Sequence, residues 1–450
     1  MKKLLLSFLL LLAAVPLWAH DFEVDGIYYL DQYNNTVIVT YAGSSYSAIK
    51  GEYTGSVVIP KSVTYKGITY SVISIGDKAF CGCTGLTSVT IPNSVTSIDA
   101  SAFSGCSGLT SVTIPNSVTS IGRYAFNNCT ELTEVHISDL SAWCKIGFED
   151  YLANPFCYAK KLYLNGSEIT DLVIPNDITE IKKYAFYGCS GLTSLVIPNS
   201  VTEIGYKAFN ECTSITDLVI EDGANILTLG TALSWMEDSQ LGQGQFYYCP
   251  LKTVYVGRDL KYYISKNYGY SPFYKKTSLK AITIGDSVTY IGERMFIGCD
   301  NIITAKIGAN VQGIYSSSFS GCVSLKNVYS SNTIPPTVDG IVFEDKTYQE
   351  GTLYVPKGYA DVYANTDGWK EFKNVKNETS MVEGVDVENE TDNISIVNGE
   401  IVVKGAKDVQ IAVYNIDGSM IYQGKNRPVA VANKGVYVII VNNKAYKVAF

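Results

Sequence analysis

Catalysis or metal binding requires histidine, thiolate and carboxylate groups that converge on one point. This chain has little of the first: of 450 residues only His20 and His136 are histidines. A Ser-His-Asp arrangement would have to pass through His136, and there is no G-x-S-x-G turn to present a serine to it. Eight of the 11 cysteines fall at least a whole repeat apart instead of in the paired cysteine and histidine clusters that zinc sites use. The stretch Gly242 to Gly244 is too short for a phosphate-cradling loop, and the adjacent Glu237 and Asp238 read as solvated charges. The sequence therefore predicts no enzyme, no cofactor and no metal.

What the cysteines do carry is a rhythm. Cys83, Cys106, Cys129, Cys189, Cys212, Cys249, Cys299 and Cys322 each follow a phenylalanine by three residues, and Phe80, Phe103 and Phe126 are spaced 23 apart. A period in the twenties marks a solenoid, in which each coil buries its apolar face only against its neighbours. Thiols at one station of successive coils point in parallel, which disfavours disulfides although the Cα atoms lie within reach, so they read as small buried apolar residues. Cys144 and Cys157, in a longer coil, are the better candidates for a bridge.

Each coil contains L-x-x-V-x-I, as in Leu109, Val112 and Ile114, whose alternating β-branched end predicts a short strand with its apolar side inward. Proline often follows and ends the hydrogen-bonded ladder. Then comes S-V-T-x-I-G, with Val118 and Ile121 inward and Gly122 expected to permit the bend, before Ala125 and Phe126 complete the filling. Some coils are longer. An Asn165-Gly166 hairpin lengthens one, and the stretch 221–246 holds a possible helical turn at Ala232 to Glu237.

These repeats resemble the BspA-like class of bacterial leucine-rich repeats, with the pattern L-T-S-V-T-I-P-x-S-V-T-x-I-G-x-x-A-F-x-G-C recurring over roughly residues 50 to 375. The resemblance implies a leucine-rich repeat solenoid of parallel β coils, right-handed and curved, on a secreted or surface-exposed protein used for adhesion and protein binding without catalysis. Around this array the chain divides into a signal peptide (1–19), a cap hairpin (20–49) turning at Asn34-Asn35, the repeats with a C-terminal cap (50–375), an acidic linker (376–392) and a small all-β sandwich (393–450). The first segment has Lys2, Lys3, an apolar run and Ala19 at a cleavage position, the layout of an export signal. Nothing after it is apolar for long enough to span a membrane. The tail, VYNIDGSMIYQG followed by NKGVYVIIVNNKAYKVAF, resembles the C-terminal sorting domains of type IX secretion cargo in Bacteroidetes.

With catalysis set aside, function has to be sought on the strand surface. The three x positions of L-x-x-V-x-I face away from the core and stack into columns. The third column includes Val173, Val196, Val219, Tyr255, Lys306 and Tyr329, so an exposed apolar stripe is expected across the valines. The first column turns basic late, at Lys252, Lys280 and Lys326, and the second carries Glu134, Asp171 and Asp217. Tyrosine is abundant, at 34 residues, and Tyr262 and Tyr263 lie in its densest cluster. Aromatic residues with polar tips suit protein interfaces and could also stack on sugar rings. The expected partner is an extracellular protein of host or neighbouring-cell origin, with a carbohydrate-binding module using the tyrosine cluster as the alternative. The net charge of −8, or −10 without the two signal lysines, argues against a non-specific nucleic-acid binder.

Overall fold

A computed structural model describes residues 19–43, 52–230, 244–263 and 271–377, together with the strands of the C-terminal tail. The expected signal segment, the turn at Ala232 to Glu237 and most of the linker lie outside the described residues. The chain is a parallel β-solenoid of about twelve turns with little helix. It forms two compact units, one of residues 1–138 with 146–159 and the other of 139–145 with 160–450.

In the first unit, Phe22–Val24, Ile27–Asp31 and Thr36–Thr40 form an antiparallel meander, and the last of these pairs parallel with Ile68–Ile75. The turn at Tyr33, Asn34 and Asn35 is left-handed throughout, a conformation that asparagine tolerates. Gly55–Val58, Leu86–Thr90, Ser111–Thr113 and Glu134–Ile137 then stack in parallel as one sheet. The two-residue strands Ser97–Ile98, Ser120–Ile121 and Gly147–Phe148 stack on the other side of the coils.

The second unit repeats this plan with a longer sheet. Nine parallel strands run from Asp171–Val173 through Ser194–Ile197, Asp217–Ile220, Thr253–Val256, Ala281–Ile284, Thr304–Ile307, Asn327–Ser330 and Thr352–Val355 to Asn374–Asn377. The Asn165-Gly166 hairpin forms with both turn residues left-handed, and it joins Lys161–Leu164 to Ser167–Ile169. After the last coils a short helix, Ala360–Ala364, brings the buried Trp369 and Phe372 against Phe343. In the tail, seven strands between Ile394 and Ala449 form two antiparallel sheets.

The core is a ladder of parallel rings. Phe80, Phe103 and Phe126 stack at 5.1 and 5.3 Å in the first unit, and in the second the stack runs unbroken from Phe186 to Phe343. Phe209 and Phe246 are far apart in sequence yet their rings lie 6.2 Å apart, so the extra residues of that coil keep the ladder continuous at a slightly wider spacing. Cysteines stand beside this ladder, and several have a task beyond filling space. The thiols of Cys106, Cys129, Cys212 and Cys299 donate to the carbonyl of the phenylalanine one coil earlier, at 2.8 to 3.1 Å. All 11 cysteines are free, and Cys144 and Cys157 form no bridge. Burial pushes these thiols up, Cys249 and Cys299 to about 12, so they stay protonated donors.

The bend differs from the sequence reading. Gly122 does not turn the chain; its hydrogen faces the coil below, where a Cβ would come within 2.6 Å of the Ala100 nitrogen. The left-handed residue is two positions before the phenylalanine, and at Lys78, Ser101, Tyr124, Tyr184, Lys207, Arg294 and Ser317 it is not glycine. A second left-handed residue follows two positions after the ring, filled by Gly82, Gly105, Gly188, Gly298 and Gly321. Two such residues flank the phenylalanine and fold the segment tightly enough to return each coil to its start.

Candidate functional site

The outward columns follow from strand register. In the second unit Val173, Val196, Val219, Tyr255, Thr283, Lys306, Tyr329, Tyr354 and Lys376 face one another in unbroken succession across the nine strands. The first column is traced by the backbone bonds from Thr170 through Thr193, Thr216, Lys252, Lys280 and Ile303 to Lys326. The structure thus brings Val173, Val196, Val219, Tyr255, Lys252, Lys280, Lys306, Lys326 and Tyr329 onto one sheet face. Tyr262 and Tyr263 stand elsewhere, on the side of the coils that carries the two-residue strands.

Two expectations about this face change. The valines do not form an exposed stripe: Val196 is wholly buried, Ser194 on the same strand and Pro198 just after it are also buried, and Val173 and Val219 are half-buried. A valine in mid-column is flanked above and below by branched side chains at strand spacing, which removes most of its own exposure. The acidic edge also has a structural part. Asp171 accepts from the Ser194 hydroxyl and Asp217 from the hydroxyls of Thr216 and Thr253, so these carboxylates tie neighbouring strands together.

Tyr255 is likewise committed. Its hydroxyl donates to Asp222 at 2.6 Å and its ring end lies over Gly285, where a Cβ would not fit. Burial, then this carboxylate, raise its pKa. Beyond it the face opens. Tyr329 and Tyr354 stack at 4.4 Å with rings within 9° of parallel, and Lys306 and Lys376 bracket them in register. Lys252, Lys280 and Lys326 are exposed alongside, and Ile303 between the latter two is 42% exposed.

Tyr262 and Tyr263 belong to a second feature, a cleft of about 510 Å³. Gly205 and Gly230 line it together with three aromatic residues, Tyr206, Tyr262 and Tyr263. Glu180 and Lys182 pair at 2.5 Å at one end, and Lys261 stands at the other. The Tyr262 hydroxyl donates to the Glu293 carbonyl at 2.8 Å, which fixes that ring, whereas Tyr263 is 63% exposed. The sequence did not single out Tyr206; the recurrence of I-G at Ile204-Gly205 and L-G at Leu229-Gly230 is the signal that could have placed it in this lining.

Two further cations missed by sequence reasoning are structural. Arg258 is fully buried and donates to the carbonyls of Pro198 and Asn199 at 2.7 and 2.8 Å. Lys276 takes the station that cysteine holds in other coils, is 4% exposed, and donates to the Tyr247 carbonyl. Among the described residues no group of histidine, cysteine and carboxylate residues could hold a metal ion. No helix among them is long and apolar enough to cross a membrane.

Coils stacked through L-x-x-V-x-I strands, with a phenylalanine ladder behind them and side-chain columns on the open sheet face, define a leucine-rich repeat protein. Six copies of the BspA type leucine rich repeat region match residues 59–148, 159–233 and 239–353, and the chain belongs to that family. The family is one of repeat proteins and not of known enzymes. Among solved structures the chain is similar to a leucine-rich repeat protein from Bacteroides ovatus, at 22% identity over 80% of this chain and all (100%) of the other, with a TM-score of 0.39. It is also similar to a leucine rich cell surface protein from Faecalibacterium prausnitzii, at 20% identity over 80% and 95% of the two chains, with a TM-score of 0.32. The pneumococcal vaccine antigen PcpA is 15% identical over 80% and 98%, with a TM-score of 0.29. No curated protein matches.

Proposed function

We propose that this is a non-enzymatic, exported binding protein that presents the outward face of its nine-stranded sheet to an extracellular protein, of host or neighbouring-cell origin. Leucine-rich repeat proteins typically bind proteins, and the sheet columns supply the surface. The observation that carries the reading is the Tyr329 and Tyr354 stack, a preassembled aromatic pair on the seventh and eighth of the nine strands, bracketed in register by Lys306 and Lys376. Tyrosine pairs of this kind are favoured in the centre of interfaces, where they bury much area at small entropic cost. Export rests on the N-terminal signal pattern, the division into cap, array, linker and sandwich on the sequence boundaries given above, and a sorting role for the tail on its resemblance to type IX cargo. The test is binding of the mature chain to an immobilised panel of extracellular proteins. Tyr329→Ala with Tyr354→Ala should weaken the strongest interaction by about tenfold or more while Tyr263→Ala leaves it unchanged. Equal binding by the tyrosine pair variant would remove the sheet face from the account.

A second reading, glycan capture, is favoured by the cleft at Tyr206, Tyr262 and Tyr263. Aromatic walls stack on the apolar faces of sugar rings, and Glu203 with Lys183 offers an acceptor and a donor for hydroxyls. A glycan array probed with the mature chain and with Tyr263→Ala decides it: signal lost in the variant supports the cleft, and a blank array refutes it.

A further inference from the structure

Charge is strongly sorted on the sheet face. In a chain with more acids than bases, 43 against 35, the outward positions of the six strands from Thr253–Val256 to Asn374–Asn377, with the residue before each strand, hold six lysines and no carboxylate. These are Lys252, Lys280, Lys306, Lys326, Lys373 and Lys376. The fold does not call for them. In earlier coils the first column is threonine, and its hydroxyl reaches back to the carbonyl of the preceding coil, as Thr193 does to Thr170 at 3.2 Å and Thr133 to Thr110 at 3.2 Å. Lysine at that station forgoes the bond. Lys252 and Lys280 sit on adjacent strands, where like charges oppose each other unfavourably, and Lys252, Lys280 and Lys326 form no ion pair among the described residues. Within this field lie the apolar Ile303 and the Tyr329 and Tyr354 stack.

We infer that the partner docks through an acidic protein segment whose carboxylates meet this lysine field around an apolar or aromatic side chain seated at Ile303 and the tyrosine pair. The inference rests on the protein-binding reading of the same face. Lysines aligned along the solenoid axis would steer any polyanion. The apolar island favours a polypeptide, whose apolar side chain covers Ile303 as well as the tyrosines, over a sulfated polysaccharide, whose rings could stack only on the tyrosines.

The test uses the mature full chain and fluorescence anisotropy with a labelled (Glu-Asp-Phe-Glu)3 peptide, its serine-for-phenylalanine counterpart, and a heparin oligosaccharide. The phenylalanine peptide is expected to bind more tightly than the serine one, and to weaken severalfold between 50 and 200 mM salt as screening shortens. Lys280→Glu with Lys326→Glu should weaken it by about tenfold or more, Ile303→Ser should erase the preference for phenylalanine, and Lys61→Glu, in the bend before the Ser62–Tyr65 strand of another sheet, should match the wild type. Urea midpoints of the variants establish that they fold. Equal binding of the two peptides, or binding of heparin alone, overturns the inference. So does failure of both peptides with a chain whose binding to the protein panel is abolished by Tyr329→Ala and Tyr354→Ala, an outcome that leaves the sheet-face reading standing. If panel binding is indifferent to the tyrosines as well, that reading falls with it.

Discussion

Lys276 interrupts the cysteine file, and replacing it should stabilise the protein in a pH-dependent way. Burial lowers its pKa from 10.5 to about 8, against a weaker opposing influence of Cys249 and Cys299. That gap corresponds to about 3 kcal/mol. Because the folded-state pKa is the lower one, the unfolded chain binds more protons between pH 8 and 10.5, so stability rises with pH across this window. Below pH 8 both states carry the charge and the full penalty is present; above 10.5 neither does. Lys276→Met keeps the apolar stem and removes the charge, at the loss of one hydrogen bond to the Tyr247 carbonyl worth about 1 kcal/mol. The net gain expected at pH 7 is about 2 kcal/mol, shrinking to nothing or reversing by pH 10.5. The neighbouring thiols, at about 12, do not titrate in this range. Urea unfolding of both proteins at pH 7, 8, 9 and 10 measures the difference directly. A constant difference across the series, or a destabilised variant at pH 7, would refute the reasoning.

Other substitutions probe the coil itself. Phe126→Ala removes a fully buried rung of the ring ladder and should cost about 3 to 5 kcal/mol in the urea midpoint; a negligible loss would mean that the rings are not the core. Gly122→Ala should destabilise by about 1 to 3 kcal/mol because its Cβ meets the backbone of Ala100, whereas Tyr124→Gly should stabilise by up to about 1 kcal/mol by relieving a left-handed tyrosine. The opposite ranking would restore Gly122 as the turning residue.

The repeat was legible because its two strongest signals are set by local geometry. Phenylalanine and cysteine recur at one station since coils stack in parallel, and the outward columns could be written down from alternation, as the register from Val173 to Tyr329 demonstrates. What alternation cannot reveal is how tightly neighbouring side chains in a column close over one another, so Val196 was legible as outward-facing and illegible as buried. The left-handed station before the phenylalanine left no trace because lysine, serine, tyrosine and arginine fill it; only the station after it is marked by glycine. Lys276 did leave a trace, since Phe273-Tyr274-Lys275-Lys276 departs from the phenylalanine-to-cysteine spacing, but its burial depends on the stack around it. The cleft was half visible: Tyr262 and Tyr263 stand out in a cluster, while Tyr206 joins them only through coil stacking.

The central claim is that the partner sits on the lysine-bearing half of the nine-stranded sheet. Acetylation footprinting of the mature chain, free and bound to the protein it captures most strongly from the panel, tests this directly, with modification read at each lysine by mass spectrometry. Protection concentrated at Lys252, Lys280 and Lys326, with Lys183 and Lys261 in the cleft unchanged, is the result predicted. Protection at Lys183 and Lys261 with the sheet lysines still reactive would contradict it.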